Sequence, residues 1–275
     1  MTVKEAIAYS VEALKEITEE AENEARILVS HLCGDSMGSL AFSSKSIDKI
    51  KLDAMLKERK EGSPIQYVIG KWWFYKGEFF VGEGVLIPRQ DTETLVEVAT
   101  ELLRNKENPS VADLCAGSGC IGISIAADFP NASVTAVEKY QKAYSYLEKN
   151  IAHNGTENVT AVLADVTEKP FGSYDLIVSN PPYITAEDMK MLSNEVKKEP
   201  ETALYGGEDG LYFYCRITEL WKTSLKPNGI LAFEVGINEA DAVGRILARN
   251  GFKNITVRKD LCGVQRVVFG TVGNI

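Results

Sequence analysis

Val111-Ala112-Asp113-Leu114-Cys115-Ala116-Gly117-Ser118-Gly119 is the stretch that decides the fold. Its first four residues form the apolar-rich run of a buried strand. Gly117 and Gly119 make a turn in which backbone approaches a ligand that side chains would block. Residues 120–129 then carry helical spacing. The alternation continues downstream, with strands at 133–138, 159–163, 174–177 and 229–235, and helices at 211–225 and 239–250. A strand pair at 254–259 and 264–271 ends it. This pattern predicts an α/β fold: a Rossmann-like, doubly wound, mostly parallel sheet with a terminal antiparallel strand.

Open α/β sheets bind ligands at the carboxyl ends of their strands, so the residues there are the candidates. Gly117, Gly119 and Gly122 spell G-x-G-x-x-G, which also occurs in dinucleotide sites. Glu138 ends the second strand, where a carboxylate accepts both hydroxyls of a ribose. Asp165 and Val166 follow the third, placed to meet an adenine edge. Asp113, near the tip of the first, suits a donor with an amino-acid tail and a sulfonium and would repel a pyrophosphate.

The strand at 174–177 runs into Val178-Ser179-Asn180-Pro181-Pro182-Tyr183-Ile184. Each proline fixes its own φ, and Pro182 pushes Pro181 away from helical geometry, so the carbonyls of Asn180 and Pro181 are held stiffly. The chemistry suited to this is methylation of a planar NH2 group. Such a nitrogen delocalises its lone pair and attacks carbon poorly. Two converging acceptors, the Asn180 side-chain oxygen and the Pro181 carbonyl, take its N–H bonds and aim it at a methyl donor. Tyr183 lies against the flat face of the substrate. Taken alone, the tetrapeptide also reads as a Pro-Pro turn that ends a strand. Hydride transfer has no task for it, and with Asp113 it favours S-adenosylmethionine over a dinucleotide.

Composition narrows the field further. The net charge of −9 argues against a surface that tracks nucleic-acid phosphates. No apolar run approaches a membrane span, and Met1-Thr2-Val3-Lys4-Glu5 does not read as a signal peptide. Five cysteines without a C-x-x-C predict neither a disulfide framework nor a zinc site, and fit a reducing cytoplasm. His31 and His153 stand in no catalytic context.

Ahead of the sheet, Thr2-Val3-Lys4-Glu5 has the form of a capping box, followed at helical spacing by Ala6, Val11, Leu14 and Ile17. A second helix runs from 21 to 32 and stops at Gly34. A third, from 47 to 60, turns Ile50, Met55 and Leu56 toward a core. Residues 1–63 thus read as a small α-helical bundle. Residues 64–90 read as a β-hairpin linker, its aromatic strands meeting at Lys76-Gly77. Residues 91–275 are the sheet domain, with a long aperiodic stretch at 193–210 where a loop or lid belongs.

The whole chain resembles the peptide chain release factor glutamine methyltransferases. The resemblance rests on Pro64-Ile65-Gln66-Tyr67, Leu86-Ile87-Pro88-Arg89, the 113–122 loop, Asn180-Pro181-Pro182-Tyr183, Glu199-Pro200, Gly206-Gly207 and Gly210-Leu211. Asn-Pro-Pro-Tyr alone is shared with adenine-N6 methyltransferases; the flanking motifs make the match specific. The resemblance implies an N-terminal helical domain for substrate recognition, a hairpin linker and a class I methyltransferase domain. It implies methylation of the glutamine amide in a Gly-Gly-Gln motif of class 1 peptide chain release factors, yielding S-adenosylhomocysteine, without a metal. Donor contacts are implied at Asp113, Cys115, Ala116, Gly117, Ser118, Gly119, Glu138, Asp165, Val166 and Asn180. Substrate contacts are implied at Arg89, Asn180, Pro181, Pro182 and Tyr183, with Asn180, Pro181 and Tyr183 catalytic. Methylation of a ribosomal-protein glutamine is the nearest alternative. Adenine-N6 methylation of nucleic acid and a non-catalytic adapter are more distant ones. Cys115 stands where the family usually has glycine, Gln90-Asp91 replaces Pro-Glu, and Glu138 replaces aspartate.

Overall fold

The computed structural model describes residues 1–273; of the sheet domain expected at 91–275, the last two residues lie outside the described ones. By compactness the chain divides into two units, one of residues 1–71 with 193–198, the other of residues 72–192 with 199–275.

In the first unit, helices α1 (Val3–Leu14), α2 (Ala21–Cys33), α3 (Lys49–Lys60) and the short α4 (Ile65–Ile69) surround a core that includes Leu14, Leu28, Leu52 and Leu56. The capping box is present: Thr2 Oγ1 accepts from the Glu5 N–H at 3.3 Å, and Glu5 Oε2 accepts from the Thr2 N–H at 2.9 Å. Gly34 ends α2 in the left-handed conformation. Two expectations need correction. Ile50 is 82% exposed, because α3 starts only after its N-cap Asp48 and buries Leu52, Leu56 and Arg59, a stripe on the other side of the helix. Ile17 lies beyond the end of α1 and is exposed. The Arg59 side chain meets Glu24 through two hydrogen bonds of 2.7 and 2.9 Å and also reaches Glu195.

The second unit opens with the hairpin of β1 (Lys71–Phe74) and β2 (Gly77–Phe80), where Phe74 and Phe79 pack edge to face at 6.0 Å. After α5 (Glu93–Leu103) come β3 (Ser110–Leu114), α6 (Cys120–Asp128), β4 (Ser133–Glu138), α7 (Gln141–Asn154), β5 (Val159–Leu163) and β6 (Tyr174–Ser179). The short α8 (Asp188–Met191), then α9 (Tyr212–Trp221), β7 (Leu225–Glu234), α10 (Ala240–Arg249), β8 (Phe252–Lys259) and β9 (Gln265–Val272) complete it. β7 begins four residues earlier than its apolar run, because a break in register at the start of β6 admits the turn at Asn228, whose φ is +61°.

The seven strands lie in the order β5-β4-β3-β6-β7-β9-β8, parallel from β5 to β7, with β9 antiparallel between β7 and β8. Successive residues of β3 and β6 face opposite sides. Val111, Leu176 and Val178 join the core packed under α5 and α6, whereas Ala112, Leu114 and Ile177 join the core that holds Tyr214, Trp221 and Phe233. Among the described residues no helix is long and apolar enough to cross a membrane.

At the amino ends of these strands Asp175 accepts from the Ser110 N–H at 3.0 Å, Lys106 Nζ at 2.9 Å and Lys226 Nζ at 2.7 Å, tying β3, β6 and β7 together. Burial alone would raise the Asp175 pKa, but Lys226, Ser110 and Lys106 outweigh it and hold the carboxyl well below the usual carboxylate range. A folded-state pKa depressed in this way gives stability that is present above the unfolded pKa near 4 and lost as pH falls. Asp175→Asn is therefore expected to lower the unfolding free energy by about 1.5–3 kcal/mol at neutral pH. That difference should shrink below about pH 4, as read by urea melts at the two pH values.

Candidate active site

β4 and β5 lie on one side of β3 and β6 and β7 on the other, so the order of the sheet reverses between β3 and β6. A cavity of about 900 Å³, mouth included, opens at that point. Its floor is the turn from Cys115 to Ser118. Cys115, Gly117 and Gly119 all have positive φ, of 60°, 56° and 81°. Glycine is demanded at 119, where a Cβ would stand 2.4 Å from Leu147 Cδ1. Over Gly117 a Cβ would meet nothing within 4 Å, so the backbone itself faces the open space.

Glu138, at the end of β4, is buried and grips this turn. Its Oε2 accepts from the Gly117 N–H at 2.9 Å, and its Oε1 from the N–H groups of Lys139 and Tyr140 at 2.9 and 2.8 Å. Burial raises its pKa against the pull of these bonds. A carboxylate has about four acceptor positions, and three are filled by backbone. Glu138 lines the cavity with one position open, where the sequence predicts a carboxylate with room for both hydroxyls of a ribose. Asp165, after β5, accepts from Thr167 and pairs with Lys139 at 2.7 Å. Burial raises its pKa, and these partners lower it by more. Ala116, Ser118 and Val166 complete the wall on this side, and Phe213 of α9 adds an aromatic ring.

Asn180 and Pro182 line the opposite side, with Arg89 and Thr92. The Asn180 amide donates through Nδ2 to Thr92 Oγ1 at 3.3 Å. Arg89 pairs with the buried Glu199, whose other oxygen accepts from the Ile87 N–H at 3.0 Å, so the loop 87–89 is clamped to the segment after α8. Four expected residues stand off the cavity wall: Gly119, which packs beside Leu147, and Asp113, Pro181 and Tyr183. Asp113 is fully buried and shares the parity of Val111, so its Oδ2 accepts from the Gly122 N–H at 2.8 Å under α6 rather than facing the cavity. Burial pushes its pKa up to about 7. Gly122 is accordingly a packing glycine, since a Cβ would sit 2.9 Å from that carboxylate oxygen. Pro181 and Tyr183 do not contribute to the cavity wall; the Tyr183 ring packs against the core beside Gly236.

Sequence reading missed Thr92, which looks like a plain helix start, and Phe213, which reads as one apolar position of a helix. Glu234 was also missed. It ends β7, is 2% exposed, and stands beside Asn180, since Phe233 before it pairs with Ser179.

The glycine floor, an acid at the end of β4 and a second after β5 fit the nucleoside and amino-acid parts of S-adenosylmethionine, and the apolar walls fit its base. The fold and site define an S-adenosylmethionine-dependent methyltransferase of class I. A family profile described as the methyltransferase small domain matches residues 90–208, and one described as the PrmC N-terminal domain matches residues 5–70. A release factor glutamine methyltransferase of Clostridium acetobutylicum is 37% identical over 285 residues, covering 100% of this chain and 100% of that protein. A second, of Fusobacterium nucleatum, is 42% identical over 235 residues, covering 84% of this chain and 66% of its own length. Among solved structures, the hMettl16 catalytic domain superposes with a TM-score of 0.56 at 14% identity over 80% of each chain, a likeness of fold alone. The chain belongs to the release factor glutamine methyltransferase family.

Cys115 carries a strain this site can report on. A β-carbon at φ +60° costs about 1–2 kcal/mol, which glycine avoids. Glycine also loosens the unfolded chain, which takes back about 0.5–1 kcal/mol. Cys115→Gly is thus expected to leave stability unchanged or raise it by up to about 1 kcal/mol. Cys115→Val, β-branched at the same φ, should destabilise; paired thermal melts read both.

Proposed function

We propose that this protein transfers the methyl group of S-adenosylmethionine to the side-chain amide nitrogen of the glutamine in the Gly-Gly-Gln motif of class 1 peptide chain release factors, modulating translation termination. The observation that carries the reading is the Asn180 amide, tied through Nδ2 to Thr92 on the wall of a cavity that Glu138 and the glycine turn also line. With Nδ2 so occupied, Oδ1 remains as an acceptor for a substrate N–H. Bound S-adenosylmethionine supplies a methyl group already activated by the sulfonium charge.

The chain's own part is then binding and orientation. Glu138 and Asp165 hold the nucleoside end, with Cys115, Ala116, Gly117, Ser118 and Val166 around it. Asn180 fixes the nitrogen of the glutamine amide by accepting one N–H, and Pro181, off the cavity wall, stiffens the turn that presents it. Pro182 and Arg89 shape the entrance, and Tyr183 supports the turn from behind. Orientation of this kind lowers a barrier by several kcal/mol, up to roughly 7–11 in the best cases. The product is S-adenosylhomocysteine, and no metal takes part in this scheme. We assign substrate recognition to residues 1–63, the hairpin linker to 64–90 and transfer to the remainder. Five free cysteines fit work in a reducing cytoplasm.

Two substitutions separate binding from chemistry. Glu138→Ala should weaken donor binding by up to about 3 kcal/mol in calorimetry. Asn180→Ala should leave donor affinity near native while single-turnover transfer to an intact release factor falls by orders of magnitude. Near-native transfer by Asn180→Ala would return this residue to the role of a turn.

A further inference from the structure

The amide of Asn180 has almost the same shape with its oxygen and nitrogen exchanged, yet the two arrangements present opposite chemistry to the cavity. Only the oxygen outward can accept from a substrate NH2; the nitrogen outward would set two N–H donors against each other. Something must therefore choose the sense. Thr92 Oγ1 lies 3.3 Å from Asn180 Nδ2, but a hydroxyl donates as readily as it accepts and selects nothing by itself.

The missing discriminator is close by. Glu234 ends β7 one residue past Phe233, the partner of Ser179, so it stands beside Asn180. Its buried carboxyl does not line the cavity, and it is near enough to the Thr92 hydroxyl and the Asn180 amide for both to lower its pKa against the rise that burial imposes. The nearby cation is committed elsewhere: Arg266 meets Asp91 at 2.9 Å and Asp260 at 3.2 Å. Tyr214 donates to the Glu234 backbone carbonyl, not to its carboxyl. Among the described residues Glu234 Oε2 has no hydrogen-bond partner. A buried carboxyl so placed costs stability that local bonding does not return.

We propose that Glu234, acting through Thr92, is the positioning residue that fixes the Asn180 amide with its oxygen toward the cavity. A carboxylate only accepts, so it takes the single proton of the Thr92 hydroxyl. Oγ1 is left as an acceptor, and Asn180 must turn Nδ2 toward it. Without Glu234 the hydroxyl is free to donate to Oδ1, and the amide turns over. Burial pushes the Glu234 pKa up to about 7, so the relay is complete at alkaline pH, where the carboxyl is anionic.

This inference rests on the role proposed above for Asn180, and its test separates the two. Thr92→Val and Thr92→Ser, Glu234→Leu, the Val/Leu double variant and Asn180→Ala are compared at about pH 8.5, above the Glu234 pKa. Single-turnover methyl transfer to an intact release factor gives the rate, calorimetry the donor affinity and thermal melts the stability. The relay predicts that Thr92→Val and Glu234→Leu each slow transfer by about tenfold or more, the scale of a lost buried hydrogen bond, with donor affinity unchanged. Thr92→Ser, which keeps the hydroxyl, should stay within about threefold of the parent. The double variant should be no slower than the slower single one, since both break one chain of bonds. Glu234→Leu should melt at or above the parent temperature, so that lost rate is not lost fold. If Glu234→Leu does not fold, the Thr92 pair decides. Near-native transfer by Thr92→Val, or rate losses that multiply in the double variant, would overturn the relay while Asn180→Ala stayed slow. A fast Asn180→Ala would instead remove the role of Asn180 on which the relay rests.

Discussion

The site depends on one topological constraint, the reversal of strand order between β3 and β6. The crossovers leave these neighbours in opposite directions, and a cavity opens at their carboxyl ends. Backbone there needs hydrogen-bond partners. Here the partner is the Glu138 carboxylate, which ties the turn after β3 to the end of β4 through Gly117, Lys139 and Tyr140. The same residue thus holds the cavity floor in shape and stands on the cavity wall. That economy couples the two tasks: a change at Glu138 relaxes the glycine turn as well as removing a contact.

Much of this was legible because the strands of a parallel sheet write themselves as short runs rich in apolar and β-branched residues. β4 and β5 coincide with theirs residue for residue. Gly119 was legible as a turn glycine, but its reason is packing against Leu147 and not the approach to a ligand expected of it. Asn180 stood out because two prolines follow it. The parity of β3 was readable too, but not which face of the strand meets the cavity, and Asp113 fell on the other one.

The rest is non-local. Thr92 meets Asn180 across 88 residues of sequence, and Arg89 meets Glu199 across 110. No spacing or periodicity encodes such pairs; they exist only once the sheet has aligned its strand ends. Ile50 shows the converse, an apolar residue whose helical face was fixed by where the cap fell, at Asp48, and not by its own character.

An amide at position 180 is the one side chain of its size that joins the two halves of this arrangement. Aspartate there would accept from Thr92 and draw its proton away from Glu234, placing two like charges in one poorly solvated corner. It would also set a negative charge near the sulfonium before transfer, stabilising the charged donor more than a transition state in which that charge is dispersing. Asparagine avoids both. Its nitrogen is a donor toward Thr92 and the buried carboxyl, and its oxygen is a neutral acceptor toward the cavity. The carboxyl charge then acts on the orientation of the amide without reaching the reacting atoms.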